Sequence, residues 1–242
     1  MAEALLELED VSGGYGRMRV LDGLSMRVAP GRLTTVIGPN GAGKSTVFKA
    51  VFGLASVFSG KIRFAGEDIT GLQPRALLDR GIVYVPQGRN LFSELTVRHN
   101  LELGGVTLRD PQRLDERIGA MFARFPVLRE KADRQAGTLS GGEQKMLEIA
   151  RGLLLEPRLV LVDEPSIGLS PLLVGQVFQI LRDLVGGGVA VLMVEQNARR
   201  ALEISDDAVV LEQGRQRLAG PAAEILANPE LGALFLGGTT AS

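Results

Sequence analysis

The stretch Leu33-Thr34-Thr35-Val36-Ile37-Gly38-Pro39-Asn40-Gly41-Ala42-Gly43-Lys44-Ser45 joins an apolar run of strand length to a glycine-rich loop. Its second part fits the pattern G-x-x-x-x-G-K-[ST], and a helical pattern follows. In this context the backbone N–H groups of the loop would surround the β- and γ-phosphates of a nucleotide, Lys44 would neutralise them and Ser45 would bind Mg²⁺. A glycine-rich turn without function is the alternative. It explains the sequence less well, because a lysine at a helix start opposes the helix dipole unless an anion is present.

Composition limits the classes of protein to consider. The 242-residue chain can bury a full core, its formal net charge is −1, and neither sign of charge forms a long run, which does not favour nucleic acid as a partner. The longest uncharged apolar run, residues 189–194, is far shorter than the roughly 20 residues that span a bilayer, and the N-terminus lacks a signal-peptide pattern. We therefore expect a cytoplasmic protein. The absence of cysteine excludes thiol catalysis and disulfides and fits a reducing compartment.

The order of local patterns predicts an α/β protein. Over about the first 65 residues, short β-rich runs alternate with glycine turns, and these runs are 5–11, 20–28, 33–37 and 61–64. Helical periodicity extends over residues 89–155. Two unbroken apolar runs, 159–162 and 189–194, flank a helical pattern at 172–184, as expected for strands buried on both faces of a parallel sheet. We predict a single domain in which residues 1–88 and 156–242 form a nucleotide-binding α/β core with a β lobe. Residues 89–155 would form an inserted helical lobe.

Two carboxylates, Asp163 and Glu164, close the predicted strand at 159–162. By the two-residue period of a strand they face opposite ways, so one can support Mg²⁺ while the other reaches a water molecule. We assign Asp163 to the metal and Glu164 to the general base that polarises the attacking water. A pair of solvated acids beside a loop is the alternative.

Gln87 and Tyr15 are candidates that the sequence supports less strongly. Gln87 follows a strand-like run just before the helical lobe, where its amide could contact Mg²⁺ or the attacking water, although a loop glutamine is more often simply solvated. Tyr15 lies among Gly13, Gly14 and Gly16, which leave its ring accessible for stacking on adenine. An exposed turn tyrosine explains the same pattern equally well.

Residues 139–144 read Leu-Ser-Gly-Gly-Glu-Gln and precede an amphipathic helix. Ser140 and Glu143 have the spacing of a capping box, which is one interpretation of the segment. The capping box leaves Gly141 and Gly142 unexplained, since each glycine in a first turn costs about 1 kcal/mol relative to alanine. A second interpretation is an anion site, in which a phosphate contacts bare backbone at the positive end of the helix.

Together, in this order, these motifs resemble those of the ATP-binding subunits of ABC transporters. The resemblance covers essentially the whole chain and implies a P-loop NTPase core of RecA type, with an N-terminal antiparallel β lobe and an inserted helical lobe. It implies ATP and Mg²⁺ as ligands and head-to-tail dimers in which Ser140, Gly141 and Gly142 close over ATP bound to the partner. It matches Tyr15 to the adenine-stacking aromatic, residues 166–170 to a loop that crosses to the partner, and Ser45, Gln87 and Asp163 to the metal site. The implied nucleotide-binding residues are Gly38, Pro39, Asn40, Gly41, Ala42, Gly43, Lys44, Ser45 and Thr46.

A closer resemblance, to one ATPase of branched-chain amino acid importers, comes from residues 88–97, 194–198 and 235–238. Most ABC ATPases have a histidine at the position of Gln196, but this subfamily shares the glutamine. Gln196 can donate a neutral hydrogen bond to the γ-phosphate but cannot titrate near neutral pH. The only histidine, His99, lies near the start of the helical lobe and fits a surface or lobe-contact residue better than a catalytic one.

The function that this resemblance implies is ATP hydrolysis that powers an importer of branched-chain amino acids through dimer closure. Permease subunits at the inner face of the membrane would be direct partners and would contact the chain around residues 89–97. A solute-binding protein would be an indirect partner. The dimer would be a homodimer or a heterodimer with a sister ATPase. Three alternatives remain: a urea or short-amide importer, a regulatory partner with weak hydrolysis, and a soluble ABC ATPase that acts on DNA or ribosomes. The last usually carries a coiled coil or two fused ATPase units, which this chain lacks.

Overall fold

The computed structural model describes residues 4–88 and 90–231. Its strands are β1 (Leu6–Tyr15), β2 (Met18–Val28), β3 (Leu33–Ile37), β4 (Ser56–Phe64), β5 (Glu67–Asp68), β6 (Ile82–Val85), β7 (Leu159–Asp163), β8 (Ala190–Val194), β9 (Asp207–Glu212) and β10 (Arg215–Pro221). They form a four-stranded sheet with the order β2-β1-β4-β5 and a six-stranded sheet with the order β10-β9-β3-β8-β7-β6.

The helices of the described residues surround these sheets and also form a separate group between β6 and β7. The α-helices are α1 (Lys44–Val51), α2 (Pro74–Asp79), α3 (Val97–Gly104), α4 (Pro111–Arg124), α5 (Pro126–Glu130), α6 (Gly141–Leu153), α7 (Pro171–Gly186), α8 (Ala198–Ile204) and α9 (Ala222–Ala227).

The six-stranded sheet is parallel except at its edge. Strands β6, β7, β8, β3 and β9 pair in parallel, and β10 pairs antiparallel with β9. Every residue of β3, β7 and β8 is buried, as the unbroken apolar runs predict for strands covered on both faces. The carboxyl ends of these strands therefore lie along one edge of the sheet, where the loops after residues 37, 163 and 194 meet.

The N-terminal sheet is antiparallel, as predicted, but its strands are longer than the sequence suggests. We predicted a strand from residue 5 to residue 11 and a glycine turn after it, whereas β1 continues through Gly13 and Gly14 to Tyr15. A Cβ atom on Gly13 would lie 2.5 Å from the carbonyl oxygen of Ser56, and one on Gly14 would lie 2.0 Å from that of Met18. These glycines therefore allow neighbouring strands to approach, rather than forming a turn.

The helical lobe contains α3 to α6 and packs onto the core. Residues just before α3 are not helical: Thr96 is the N-cap of that helix, and its side chain accepts a hydrogen bond from the backbone N–H of His99. A continuous cluster of buried apolar side chains joins this lobe to the parallel sheet and includes Phe122, Leu147, Val85 and Val160. The boundaries placed after residues 88 and 155 stay predictions. Within the described residues, no helix is long and apolar enough to cross a membrane.

Candidate nucleotide site

The phosphate-binding loop, residues 38–45, connects β3 to α1 at the carboxyl edge of the parallel sheet. All three of its glycines have backbone conformations that other residues rarely adopt, with φ of 156° at Gly38, 80° at Gly41 and 99° at Gly43. A Cβ atom on Gly38 would also lie 2.1 Å from the carbonyl oxygen of Leu211. Glycine is therefore required at position 38 by both conformation and space.

The start of α1 offers unpaired donors. Gly43 is the N-cap and provides no side-chain hydrogen bond, and the N–H groups of Gly41, Gly43, Lys44 and Ser45 donate to no acceptor among residues 4–88 and 90–231. Free N–H groups at a helix N-terminus form a site suited to an anion. The loop therefore has the chemistry that the sequence motif predicts.

Lys44 places its ammonium group over this loop. Its Nζ donates to the carbonyl oxygens of Gly38 at 2.8 Å and of Pro39 at 3.0 Å. Burial lowers the pKa of Lys44, and the nearby carboxylates of Glu164 and Asp163 oppose that shift. The ammonium thus lies between the loop and the acid pair.

Asp163 is the last residue of β7, and its side chain is hydrogen-bonded on both oxygens. Oδ1 accepts from Ser45 Oγ at 3.1 Å, and Oδ2 accepts from the hydroxyl of Tyr84 at 3.1 Å. Burial raises the pKa of Asp163, while the hydrogen bonds from Tyr84 and Ser45 lower it. Burial, together with the neighbouring carboxylate of Asp163, raises the pKa of Tyr84, so that its hydroxyl stays a donor. Tyr84 was not among the residues predicted from the sequence, although its hydroxyl is the only side-chain polar group in β6.

Glu164 lies just outside β7, so the alternation argument for the two acids is incomplete. Its φ is 47°, in the left-handed region, and its N–H donates to the carbonyl oxygen of Val194 at 2.9 Å. This turn of the backbone, rather than strand alternation alone, separates its carboxylate from that of Asp163. Burial and the neighbouring charge of Asp163 raise the pKa of Glu164, and Lys44 lowers it.

The side chain of Gln87 forms a hydrogen bond with that of Glu164. Its Nε2 donates to Glu164 Oε2 at 2.8 Å, and the Gln87 side chain is exposed. In this arrangement the amide contacts the acid assigned as base rather than the oxygens of Ser45 and Asp163. The assignment of Gln87 as a metal ligand stays a prediction.

The oxygen donors of the site fit a magnesium ion carried by a nucleotide. The hydroxyl of Ser45 and the carboxylate of Asp163 are 3.1 Å apart, and both are the hard oxygen ligands that Mg²⁺ prefers. Among the described residues, no three His, Cys, Asp or Glu side chains form a cluster able to hold a metal by themselves. Such a site needs phosphate oxygens and water to complete the coordination.

Gln196 and Tyr15 flank the phosphate-binding loop from two sides. Gln196 Nε2 lies 3.5 Å from the side-chain oxygen of Asn40. The hydroxyl of Tyr15 lies 3.5 Å from Thr46 Oγ1, the residue as a whole is 37% exposed, and Lys49 Nζ is 5.7 Å from the ring centroid. One part of the ring is therefore open to a ligand. His99, in contrast, is exposed on α3, within the helical lobe.

At the start of α6, the structure shows the capping box. Ser140 N donates to Glu143 Oε2 at 3.0 Å, and Glu143 N donates to Ser140 Oγ at 3.4 Å. Gly142 is buried, and a Cβ atom there would lie 2.6 Å from a methyl group of Leu173 in α7. Packing against α7 is thus a second reason for this glycine, besides access for a phosphate. Gly141 is exposed and has more room.

No hydrogen bond in the described part of the chain joins residues 140–142 to the phosphate-binding loop. The two predicted phosphate-contacting segments are held by different elements: one opens α1 in the core, and the other opens α6 in the helical lobe. That these segments serve different nucleotides stays a prediction.

The fold and this site define a P-loop nucleotide-binding protein with an inserted helical lobe. Residues 21–167 match the family model described as ABC transporter, and the chain belongs to that family. It is an ATP-binding, ATP-hydrolysing subunit of the ABC type.

Individual relatives resemble the chain over its whole length. It is 42% identical to the high-affinity branched-chain amino acid transport ATP-binding protein BraG of Pseudomonas aeruginosa, over 97% of this chain and 100% of BraG. It is 39% identical to the probable branched-chain amino acid transport ATP-binding protein LivF of Archaeoglobus fulgidus, over 96% of this chain and 99% of LivF. The crystal structure of the ADP conformation of MJ1267, an ATP-binding cassette of an ABC transporter, superposes with a TM-score of 0.89 at 28% identity, covering 98% of this chain and 100% of MJ1267.

Proposed function

We propose that this chain hydrolyses ATP to power an importer of branched-chain amino acids. The hydrolytic role in this proposal rests on the arrangement of side chains around Asp163 and Glu164. One acid is bonded to Ser45 of the phosphate-binding loop, and the other is bonded to Gln87. Similarity to BraG and LivF over nearly the full length of each protein supports the substrate class.

In the proposed mechanism the loop and the acid pair have separate tasks. The free N–H groups of the loop and Lys44 bind the phosphates of ATP, and Ser45, Asp163 and Gln87 would hold Mg²⁺. When bound, this ion would supply positive charge that offsets the negative charge of the phosphates. Tyr15 stacks on the adenine. These contacts fix the γ-phosphate at the edge of the sheet.

The chemical step is attack by water in line with the bond that breaks. Glu164 accepts a proton from the water while the water oxygen forms a bond to the γ-phosphorus. The bond between that phosphorus and the β–γ bridging oxygen breaks, and ADP leaves with the bridging oxygen. The raised pKa of Glu164 makes it a better base than an ordinary carboxylate. Gln196, beside Asn40, donates a neutral hydrogen bond to the γ-phosphate.

The complete site would be formed by two subunits. Ser140 and Gly141 are exposed at the start of α6, where the helix dipole and the N–H groups suit the γ-phosphate held by a partner. The partner is a second copy of this chain or a sister ATPase. ATP binding closes the dimer, and hydrolysis with product release opens it again.

Permease subunits at the inner face of the cell membrane would receive this motion. Residues 90–97 contain Phe92, which is 53% exposed and lies against the guanidinium of Arg151 at 5.7 Å. An exposed aromatic beside a charged group suits the docking of a short helix. Position 89, which we included in this surface, lies outside the described residues, as do 235–238 of the closer resemblance. A solute-binding protein would act indirectly, through the permease.

Reconstitution tests the substrate class. The chain is co-purified with its membrane partners, placed in vesicles, and assayed for ATP hydrolysis with the solute-binding protein loaded with leucine, isoleucine, valine or urea. We expect stimulation by the branched-chain amino acids alone, and a Lys44→Ala variant should show none. Stimulation by urea, with none by the amino acids, would assign the chain to an importer of short amides.

A further inference from the structure

Glu195 is a buried carboxylate that the proposed mechanism does not use. It follows β8 directly, is only 1% exposed, and lies between Val194 and Gln196 at the carboxyl edge of the parallel sheet. Its backbone N–H donates to the carbonyl oxygen of Val36 in β3, at 3.4 Å, just before the phosphate-binding loop. A buried ionisable group in this position needs a reason, because removing a charge from water costs free energy.

The side chain of Glu195 is bonded to two separate segments of the site. Oε1 accepts from the backbone N–H of Ser166 at 2.9 Å, and Oε2 accepts from the hydroxyl of Ser166 at 2.8 Å. Oε2 also accepts from the backbone N–H of Gln196 at 3.2 Å. All three partners are donors, which is the set that an ionised carboxylate satisfies. Burial raises the pKa of Glu195, and these three bonds lower it.

Within residues 4–88 and 90–231, no lysine, arginine or histidine forms an ion pair with Glu195, whose hydrogen-bond partners are neutral. The nearby carboxylate of Glu164 also raises the pKa of Glu195. An ion pair would explain a buried glutamate as part of a structural network, but here the compensation comes from hydrogen bonds to backbone and hydroxyl donors. The residue therefore connects backbone segments instead of neutralising a charged side chain.

We propose that Glu195 is a positioning residue for ATP hydrolysis, which holds the loop after Glu164 and the backbone of Gln196 in one fixed arrangement. This inference rests on the proposed function, in which residues 166–170 contact the partner subunit and Gln196 contacts the γ-phosphate. Through Glu195, closure of the dimer onto the loop would set the position of Gln196. Glu195 itself touches neither ATP nor the attacking water.

The test compares steady-state ATP hydrolysis by full-length variants. Glu195→Gln keeps the size of the side chain but turns one acceptor into a donor, so at least one of the three bonds is lost. We expect kcat to fall about tenfold with KM for ATP changed by less than about twofold, the pattern of a group that acts in the transition state. Ser166→Ala removes the hydroxyl bond alone and should lower kcat by about threefold. Glu203→Gln, at an exposed position of α8, is the matched control and should have the wild-type kcat.

A double variant separates positioning from a general structural role. If Glu195 acts through Gln196, adding Glu195→Gln to Gln196→Ala should slow hydrolysis no further than the slower single variant. Independent, multiplicative effects would overturn the inference, as would a kcat for Glu195→Gln equal to that of the control. If Glu195→Gln does not fold, Ser166→Ala replaces it in the double variant. The kcat of Ser166→Ala with Gln196→Ala is then compared with that of each single variant.

Hydrogen–deuterium exchange gives a readout that does not depend on activity. In Glu195→Gln, or in Ser166→Ala, amides of residues 166–170 and of Gln196 should exchange faster, whereas those of β7 should not change. Unchanged exchange in the loop would overturn the inference while leaving the proposed function intact. A wild-type chain that binds ATP but never hydrolyses it, even with its partners, would instead overturn the proposed function.

Discussion

Asp163 and Glu164 are adjacent in the chain but have different hydrogen-bond partners. Both oxygens of Asp163 accept from side chains of the core, Ser45 and Tyr84, whereas Glu164 is bonded to the exposed amide of Gln87. The fully bonded acid is held in one orientation, as a metal ligand needs to be. The other has a partner that can move, as a base that must release and accept a proton requires. At the scale of single residues, this difference supports the roles that we propose.

Substitution of Gln196 tests how much a neutral side chain beside the γ-phosphate contributes to the rate of ATP hydrolysis. We expect Gln196→Ala to lower kcat by about tenfold or more and to change ATP affinity much less, because the hydrogen bond should strengthen as charge develops on the phosphate. Steady-state hydrolysis and equilibrium binding of ATP would be measured on the same preparation. Equal kcat in the variant and the wild type would show that the residue is idle.

Some site residues are visible in the sequence and others are not. Lys44, Ser45 and the acid pair lie in short local motifs, so spacing alone identifies them. Tyr84 and Glu195 become functional candidates only through contacts with residues far along the chain, at 163 and 166. Those contacts depend on the order and register of parallel strands, which local patterns do not specify.

At the scale of an element, the start of α6 combines a helix cap with a close helix contact. The reciprocal bonds of Ser140 and Glu143 satisfy N–H groups at the helix end, and Glu143 also pairs with Lys131 at 2.5 Å. Burial tends to raise the pKa of Glu143, but the bonds from Lys131 and Ser140 lower it overall. Its contribution to stability is therefore present above the ordinary carboxyl pKa and is lost as pH falls through the lowered value.

The capping hydrogen bond of Ser140 predicts that removing its side chain destabilises the protein, whereas removing the side chain of Ser170 should not. Ser140→Ala should lower the free energy of unfolding by about 1 kcal/mol, measured by urea denaturation at neutral pH. Ser170 is the N-cap of α7 but makes no side-chain capping bond, so Ser170→Ala should change stability much less. Equal losses in the two variants would contradict the role of the Ser140 cap.

The elements of the parallel sheet follow from the sequence better than those of the β lobe do. Strand β8 and the first four residues of β7 are continuous apolar runs because both faces of these strands are buried, and this leaves a clear local signal. Residues 13 and 14 resemble a turn in the sequence, yet they lie inside β1 because the neighbouring strands approach too closely for a side chain. Close approach of this kind is a property of the assembled sheet.

At the scale of the whole molecule, the chain presents two halves of a nucleotide site on different elements. The phosphate-binding loop opens α1 in the core, and residues 140–142 open α6 in the helical lobe, with no hydrogen bond between them in the described chain. In a head-to-tail dimer each half would meet its complement on the partner. Symmetry would then make two equivalent sites from two incomplete chains.

Mixing two inactive variants tests the shared site in a homodimer. Ser140→Arg should spare ATP binding by the isolated chain and abolish hydrolysis, because the arginine would block closure over the partner's nucleotide. Lys44→Ala should lose ATP binding in its own loop. Mixed dimers of the two variants keep one intact site, formed by the loop of the first and residues 140–142 of the second, so hydrolysis should return on mixing. If Ser140→Arg alone kept full turnover, the shared site would be wrong.

ATP turnover in Glu164→Gln tests whether this site hydrolyses ATP with Glu164 as the base. The amide keeps the shape of the side chain but cannot accept a proton. We expect the variant to bind ATP normally, to lose hydrolysis and to accumulate as a closed dimer, which light scattering detects. Turnover at the wild-type rate would show that Glu164 is not the base.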